Sequence, residues 1–229
     1  MSVRNPIKAA VIVFPGSNGD RDLYEALCAA GFDTQYVRDT DDIPGDVALC
    51  GLPGGFSYGD YWRAGVLASR ARAVRQLASF HASGGLVIGI CNGFQILAEA
   101  GYLRGALTYN TPPRFVHRFV TVVVRETAER SPWFSTLPVG TKLTLPIAHA
   151  EGAYRLPKDG HSVLPRIPLC YEHNPNGSQL DAAAVSDETG RILGIMPHPE
   201  RAIDLLLGSQ DGLRLFESAF RFLQRVQTP

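Results

Sequence analysis

The feature that most constrains this chain is a change of hydrophobic pattern at Cys91. Residues 86–90 form a continuous apolar run typical of a buried strand, and residues 92–97 repeat their apolar side chains with the spacing of a helix. Gly89 and Gly93 lie two residues on either side of the cysteine. A strand that turns sharply into a helix can cross it closely only where side chains are missing. The segment therefore predicts a strand–turn–helix unit with Cys91 at its corner.

Cys91 at such a corner has two interpretations. The same turn, written G-x-S-x-G, lifts a nucleophile above the sheet in serine hydrolases. At the start of a helix, backbone N–H groups and the helix dipole favour a thiolate, and the N–H of Asn92 would point to a developing oxyanion. The alternative is a small buried apolar residue, which is where free cysteines usually lie. The segment alone does not decide between them.

Composition narrows the class of protein. With 229 residues, 45% of them hydrophobic and 19% charged, the chain is long enough for one large α/β domain, which we expect to span residues 1–229. The formal net charge is zero, so there is no basic field to hold nucleic acid or an anionic membrane. A small neutral or zwitterionic substrate, or a protein partner, is favoured.

The start of the chain and the spacing of its cysteines indicate the cellular compartment. Residues 1–8 do not resemble a signal peptide, and no uninterrupted apolar segment is long enough to span a bilayer, which predicts a cytoplasmic protein. The four cysteines lack C-x-x-C spacing, which argues against a disulfide framework and a structural zinc site. Cys28, Cys50 and Cys170 are expected in the core.

The order of elements predicts an α/β fold with a doubly wound, mostly parallel sheet and helices on both faces, its site at the carboxyl ends of the strands. Asp20 is expected to cap the first helix, and a turn at 188–191 predicts a hairpin. The predicted strands are 9–14, 34–37, 47–52, 86–90, 119–124, 182–186 and 192–196, and the predicted helices are 20–30, 64–83, 92–100 and a last one from about 211.

Two loops that follow predicted strands are rich in glycine. Residues 16–20 could hold a phosphate at a helix N-terminus, but they lack the lysine of a P-loop, and a plain turn is favoured. Residues 53–63 combine glycines with aromatic side chains. The N–H of Gly55 there could pair with that of Asn92 as an oxyanion hole, and a rigid connection is the alternative.

His198 and Glu200 follow the last predicted strand. Pro197 and Pro199 should keep this loop extended, and residues two apart in an extended segment can share a side. His198 could then face a nucleophile while Glu200 fixes its tautomer. A metal pair is another interpretation, but no further cluster completes it, so no metal is expected. The remaining histidines are expected to be structural or at the surface, although the loop of His149 could border the site: His81, His117, His149, His161 and His173.

Taken together, these residues resemble the class I, triad-type glutamine amidotransferases. The resemblance lies in the elbow Gly-Ile-Cys-Asn-Gly-Phe-Gln, the Pro-Gly-Gly loop upstream and the His-Pro-Glu downstream. Within that class, four stretches resemble the glutaminase subunits of phosphoribosylformylglycinamidine synthases: 14–18, 55–61, 174–178 and 196–202. The resemblance runs over nearly the whole chain, and residues 55–61 and 174–178 are its subunit-specific parts.

The resemblance implies a flavodoxin-like fold and an activity. Glutamine would be hydrolysed to glutamate through a thioester, with Cys91 as nucleophile and with His198 and Glu200 completing the triad. The ammonia would pass to a synthetase subunit. The resemblance assigns the oxyanion and substrate contacts to a second set of residues: Gly54, Gly55, Asn92 and Gln95.

The resemblance also implies partners. The chain has no recognisable nucleotide-binding motif, so it should carry no cofactor, and the ATP-dependent step belongs on another subunit. That partner is a large synthetase subunit that binds ATP, magnesium and formylglycinamide ribonucleotide, and a small subunit bridges the two. Tyr58, Tyr61 and Trp62 are hypothesised to be exposed and to contribute to the docking face. The alternatives are the glutaminase of another synthetase, a stand-alone cysteine hydrolase and an inactive binding module.

Overall fold

The computed structural model describes residues 6–126, 130–157 and 164–226. These residues form eleven strands: β1 (Lys8–Val13), β2 (Asp33–Arg38), β3 (Val47–Leu52), β4 (Leu86–Ile90), β5 (Ala106–Thr108), β6 (Val116–Val124), β7 (Lys142–His149), β8 (Ala153–Arg155), β9 (Arg166–Tyr171), β10 (Ala182–Ser186) and β11 (Ile192–Ile195). They also form four α-helices: α1 (Asp20–Ala29), α2 (Arg72–Ala82), α3 (Asn92–Glu99) and α4 (Leu213–Val226).

Among the described residues, nine strands form one sheet, in the order β2-β1-β3-β4-β11-β10-β9-β6-β7. The first five are mutually parallel, and the other four extend the sheet with antiparallel pairs. β5 and β8 make a separate antiparallel pair. The doubly wound α/β class and the β10–β11 hairpin are therefore confirmed. Because β1, β3, β4 and β11 are parallel, their carboxyl ends meet at one edge of the sheet.

Helices cover both faces of the parallel part. Gly51 pairs with Ile88, and Leu23 of α1 lies where a Cβ on Gly51 would stand. Gly89 follows Ile88 in β4, and a Cβ on Gly89 would lie 2.6 Å from Leu97 Cδ1 of α3. Successive strand residues point to opposite faces, so α1 and α3 lie on opposite sides of the sheet. The core between these layers is one continuous cluster of buried apolar side chains.

The helix predicted at residues 64–83 is wrong in its first half. α2 begins only at Arg72, after a short 3₁₀ turn at Ala68–Arg70. Gly65 has φ +81°, and a Cβ there would lie 2.7 Å from the backbone N of Ile96. Ala71 is extended, with ψ 153°. The close approach of this segment to α3 breaks a helical pattern that the sequence alone suggests.

Strands β5, β7, β8 and β9 were not predicted. Pro146 interrupts the alternating pattern of β7, and Pro168 does the same in β9. Proline removes a ladder donor and weakens the signal of a strand. β5 and β8 have three residues each, which is too short for a periodicity to be recognised.

Two smaller predictions are wrong and two lie outside the described residues. Gly19, not Asp20, is the N-cap of α1, since Asp20 already has helical geometry. Cys28 is exposed on α1 rather than buried, because the helix turns a different stripe to the core: Leu23, Ala26 and Leu27. His161 and residues 1–5 lie outside the described ranges. No helix in those ranges is both long and apolar enough to cross a bilayer.

Candidate active site

Cys91 lies at the corner between β4 and α3. Its φ is 51° and its ψ −103°, a conformation that is costly for a residue with a side chain. Its backbone N–H donates to the carbonyl of Ile195 in the neighbouring strand at 2.8 Å, so the corner is fixed to β11. The side chain is 8% exposed. A strained, anchored turn of this kind directs one side chain out of the sheet edge, as a nucleophile requires.

Steric crowding explains why both positions flanking the corner, 89 and 93, are glycine. A Cβ on Gly89 would lie 2.5 Å from the carbonyl oxygen of Gly93, and a Cβ on Gly93 would lie 2.1 Å from that of Leu52. Neither position has room for any side chain. Helix α3 therefore begins in direct contact with β4, as the sequence predicted, and also with β3, and its free N–H groups lie at the carboxyl end of the sheet.

His198 and Glu200 form a buried pair after β11. His198 Nδ1 lies 2.6 Å from Glu200 Oε1, and both side chains are almost fully buried. The N–H of His198 donates to the carbonyl of Pro146 at 2.8 Å, which fixes this loop to β7. The predicted extended conformation is wrong, because residues Pro199–Arg201 form a 3₁₀ turn. The turn still brings the carboxylate to the imidazole.

The protonation of His198 is controlled by its neighbours. Burial lowers its pKa, but the Glu200 carboxylate and the sulfur of Cys91 outweigh burial and raise the pKa to about 10. The imidazolium is therefore the stable form near neutral pH. Since Nδ1 donates to Glu200, Nε2 is left to act on another group, and it has no hydrogen-bond partner among the described residues. An imidazolium beside a thiol can support a thiolate nucleophile.

The thiol and the imidazole share one wall of a cavity. A Cβ on Gly54 would lie 3.0 Å from His198 Cε1 and 3.7 Å from Cys91 Cβ, so the two side chains flank the same backbone. The cavity has a volume of about 190 Å³. Its lining includes Cys91, His198, Gly55 and Gln95, together with carboxylates on Asp60 and Glu151. This volume corresponds to roughly six water molecules and suits a small amino acid.

Two backbone N–H groups are free for an oxyanion. Asn18 donates to the carbonyl of Gly54 and Phe56 to that of Gly16, so Ser17 and Gly55 oppose each other as a pair without mutual hydrogen bonds. The N–H of Gly55 therefore points away from Ser17. The carbonyl of Gly54 accepts hydrogen bonds from the N–H groups of residues 18 and 19, so Gly54 holds the 16–20 loop against the 53–63 loop.

The N–H of Asn92 is the first of α3, where a helix has no internal acceptor. Neither this N–H nor that of Gly55 donates to another group in the described part of the chain. The two groups are thus available, as the sequence predicted for an oxyanion hole. Whether they serve as one remains a proposal.

The side chains of Asn92 and Gln95 link the walls of the cavity. Asn92 Oδ1 accepts the N–H of Ser57 at 3.0 Å, and its Nδ2 donates to Asp60 at 3.1 Å and to Gln95 Oε1 at 3.0 Å. Gln95 Nε2 in turn donates to the carbonyl of Glu151 at 2.8 Å. Gln95 lies in the cavity wall with both ends of its amide engaged, so it shapes the pocket as well as bordering it.

Three buried residues organise the opposite wall: Asn110, which no sequence pattern indicated, and Asn176 and Ser178, which lie in the 174–178 stretch. Asn176 Nδ2 donates to the carbonyl of Gly152 at 2.8 Å, and Asn110 Oδ1 accepts the N–H of Gly152 at 3.1 Å. These contacts fix residues 149–152 against the cavity. For Asn176 and Ser178 the signal in the sequence is the Asn-Pro-Asn-Gly-Ser segment. Its composition by itself predicts only a turn.

The other candidate sites are not supported. In residues 16–20 the N–H groups of Ser17, Asn18 and Gly19 all donate to protein carbonyls, so none of the three is available for a phosphate. Over the described ranges, no group of three or more His, Cys, Asp or Glu side chains could hold a metal ion. The hydroxyl of Tyr58 donates to Asp39 and its ring is only half-exposed, which contradicts the prediction that it is an exposed aromatic.

The chain matches a known domain family and is similar to curated proteins over most of its length. The CobB/CobQ-like glutamine amidotransferase domain matches residues 6–164 and 166–223. The chain is 47% identical to the phosphoribosylformylglycinamidine synthase subunit PurQ of Rubrobacter xylanophilus, over 93% of this chain and 97% of that one. It is 44% identical to the subunit PurQ of Jannaschia sp., over 93% and 96%.

A solved structure is also similar to this chain in sequence and in fold. A chain in the structure of PurLQS from Thermotoga maritima is 41% identical, with a TM-score of 0.89 over 96% of this chain and all of that one. Identity at this level over nearly the whole length is accompanied by the same fold. The chain therefore belongs to the CobB/CobQ-like glutamine amidotransferase domain family and, within it, to the family of phosphoribosylformylglycinamidine synthase PurQ subunits.

Proposed function

We propose that this chain is the glutaminase subunit of a phosphoribosylformylglycinamidine synthase. It hydrolyses glutamine to glutamate and delivers the ammonia to a synthetase subunit, which uses ATP to convert formylglycinamide ribonucleotide to formylglycinamidine ribonucleotide. The observation that carries this proposal is the pair Cys91 and His198 in the wall of an amino-acid-sized cavity, with the buried Glu200 carboxylate hydrogen-bonded to His198. Membership of the PurQ family supplies the identity of the synthase.

Acylation is the first proposed step. The Cys91 thiolate attacks the side-chain amide carbon of glutamine, and the N–H groups of Gly55 and Asn92 stabilise the oxyanion. The carbon–nitrogen bond then breaks as the His198 imidazolium gives its proton to the nitrogen, which leaves as neutral ammonia. The raised pKa of His198 supports this assignment, because the residue is protonated when acylation begins.

Deacylation regenerates the thiolate. His198, now neutral at Nε2, takes a proton from a water molecule that attacks the thioester carbon. The carbon–sulfur bond breaks, glutamate leaves, and His198 is again the imidazolium. Glu200 accepts a hydrogen bond from Nδ1–H throughout, so the ring keeps the orientation in which Nε2 faces the reacting atoms.

The partners proposed are a large synthetase subunit and a small bridging subunit. Ammonia released into water near neutral pH is mostly protonated and loses its nucleophilicity, so it must pass directly to the acceptor. ATP and magnesium are assigned to the large subunit. The chain is proposed to be one class I glutamine amidotransferase domain, which the continuous sheet and core support.

A cytoplasmic location is proposed for the same protein. Its four cysteines are free thiols, as is usual for proteins of a reducing compartment. Of the alternatives, a glutaminase of another synthetase would need a different acceptor, and a stand-alone hydrolase would need no partner. No feature of the described cavity favours either alternative over the proposed subunit.

The test is glutamate release from glutamine by this protein and by Cys91→Ser. Each would be assayed alone and then with the large and small subunits, ATP and the acceptor nucleotide. Weak hydrolysis alone that rises strongly in the complete mixture and disappears with Cys91→Ser is the expected result. Equal activity with and without partners would identify an independent hydrolase, and no activity in any mixture would identify a binding module.

A further inference from the structure

A second histidine borders the proposed active site. His149 is the last residue of β7, it is 3% exposed, and it lines the same cavity as Cys91 and His198. The preceding carbonyl, that of Ala148, lies 3.9 Å from Cys91 Sγ. His149 is therefore placed close to the reacting atoms. The acylation and deacylation steps proposed above give it no role.

Asn110 fixes which ring nitrogen of His149 carries the proton. Asn110 Nδ2 donates to the carbonyls of Arg114 and His149 at 3.0 and 2.9 Å, which turns its Oδ1 towards the ring. That oxygen also accepts the N–H of Gly152, and it lies 3.1 Å from His149 Nδ1. A carbonyl oxygen can only accept, so Nδ1 must donate, and Nε2 carries the lone pair.

The ring stays neutral under physiological conditions. Burial and, to a lesser extent, the positive charge of His198 lower the pKa of His149 to about 4. Nε2 is thus a hydrogen-bond acceptor over the whole neutral range. It is buried, and it has no donor among the described residues. His198 Nε2, which must meet the substrate, is likewise buried and without a partner. Buried polar atoms are rarely left unpaired without a functional reason.

We propose that His149 Nε2 accepts a hydrogen bond from the side-chain amide nitrogen of glutamine, and then from the ammonia that this nitrogen becomes. The proposal rests on the glutaminase function proposed above and names a further substrate contact for it. One N–H of the planar amide held in this way fixes the amide plane, so that the carbonyl carbon faces the sulfur. The α-ammonium group at the other end of glutamine can pair with the carboxylates of Asp60 and Glu151, which line the same cavity.

A neutral acceptor also preserves the product. His198 supplies the one proton that converts the leaving nitrogen to ammonia. A second acidic group beside it would produce ammonium, which cannot attack an acceptor. Since His149 has no proton at Nε2, it can hold ammonia without protonating it.

Two variants separate the roles of the two ring nitrogens. His149→Asn retains a donor near the position of Nδ1 for Asn110 but has no acceptor at the position of Nε2. His149→Gln places an amide oxygen near that position and gives up the contact with Asn110. Each is assayed in the complete complex with glutamine and with glutamate γ-methyl ester, whose leaving oxygen carries no hydrogen. Thermal unfolding of both variants checks that they fold.

We expect His149→Asn to lower kcat/KM for glutamine by about 10- to 100-fold, the usual effect of leaving a buried partner unpaired. His149→Gln should recover most of this loss. Hydrolysis of the γ-methyl ester should change less than about threefold in both variants, since an ester oxygen has no hydrogen to donate.

Other outcomes overturn the proposal. If His149→Asn is active and His149→Gln is not, the contact with Asn110 matters and Nε2 does not. Equal losses on both substrates would assign His149 to the shape of the pocket or to the ammonium group. A wild-type complex that hydrolyses glutamine confirms the underlying function independently, and one that does not would refute that function and this inference together.

Discussion

At the scale of single residues, the site depends on a carboxylate that is buried against a histidine. Glu200 Oε1 lies 2.6 Å from His198 Nδ1, and the Glu200 side chain is almost completely buried. A buried carboxylate in this position fixes the tautomer of the ring and stabilises its charge. In the proposed reaction, the two effects together determine whether His198 Nε2 can give and take a proton.

Replacing Glu200 with Gln should lower kcat by about 10²- to 10⁴-fold, because the amide can hold the wrong tautomer and no longer stabilises the imidazolium. The pKa of His198, raised to about 10 in the wild type, should fall. Both can be measured, the first from glutamate release in the complex and the second from NMR titration of the ring. Glu188→Gln, at an exposed turn, is the matched control and should leave both values unchanged. An active Glu200→Gln protein would remove the carboxylate from the triad.

His149 should make stability depend on pH. Its pKa is about 4 in the folded protein, against 6.5 for an unperturbed histidine, so between these values the unfolded chain binds a proton that the folded chain does not. Stability therefore falls as the pH drops from 6.5 to 4, and the cost reaches about 3 kcal/mol at ~1.4 kcal/mol per pH unit. Urea unfolding of wild type and His149→Gln at pH 7 and pH 4 measures this difference. Parallel losses in the two proteins would show that His149 does not titrate in this way.

At the scale of elements, the site is built where four strand ends meet, and the close contact of α3 with β3 and β4 determines its position. The Asn92 side chain then ties residues 57–60 to the helix, and Asn176 ties residues 149–152 to the other wall. Tyr58, Asp60 and Trp62 have positive φ within this short loop. Three such residues so close together indicate that the loop's shape is maintained by its contacts at some energetic cost.

Gly93→Ala tests the contact of helix and strand. The new Cβ would lie 2.1 Å from the carbonyl oxygen of Leu52, so α3 must move, and we expect a loss of about 3 kcal/mol or more in the free energy of unfolding. Gly45→Ala is the control, since nothing lies within 4 Å of its Cβ, and it should change stability by less than about 1 kcal/mol. Chemical denaturation measures both. If the two substitutions cost the same, the contact is not tight.

Much of this architecture could be predicted from the sequence, and the limits have physical causes. Four of the five parallel strands, β1, β3, β4 and β11, are largely apolar runs, and glycines flank Cys91 at the elbow, so these patterns are local. β7 and β9 contain prolines, and their pairing is decided by neighbours distant in the chain. The residues of the proposed triad have sequence signals of their own, whereas the roles of His149 and Asn110 become visible only when folding brings them together.

At the scale of the whole molecule, the proposed function requires contact with the subunit that receives ammonia, and the exposed surface beside the cavity mouth is our candidate for it. Phe56 and Asp60 line the cavity, and in the same loop Tyr61 and Trp62 are 72% and 91% exposed. Exposed aromatic side chains are favoured at protein interfaces. We therefore restrict the docking hypothesis to Tyr61 and Trp62 and leave out Tyr58, which is half-buried.

The double substitution Tyr61→Ala with Trp62→Ala should weaken binding to the large synthetase subunit by at least about tenfold, since buried aromatic anchors each contribute more than about 1 kcal/mol. Tyr36→Ala changes an exposed tyrosine on the edge strand β2 and should leave the affinity unaltered. Titration calorimetry or biolayer interferometry gives both values. Unchanged affinity in the double variant would place the interface elsewhere on the molecule.

We propose that Cys91 forms a γ-glutamyl thioester in a complex that transfers ammonia. The most direct measurement is intact-protein mass spectrometry after acid quenching of the complex during turnover of glutamine, with peptide mapping of the adduct. We expect a mass increase of one γ-glutamyl group on Cys91 that is absent from Cys91→Ser. Glutamate release without an adduct on Cys91, or with the adduct on Cys28, Cys50 or Cys170, would contradict it.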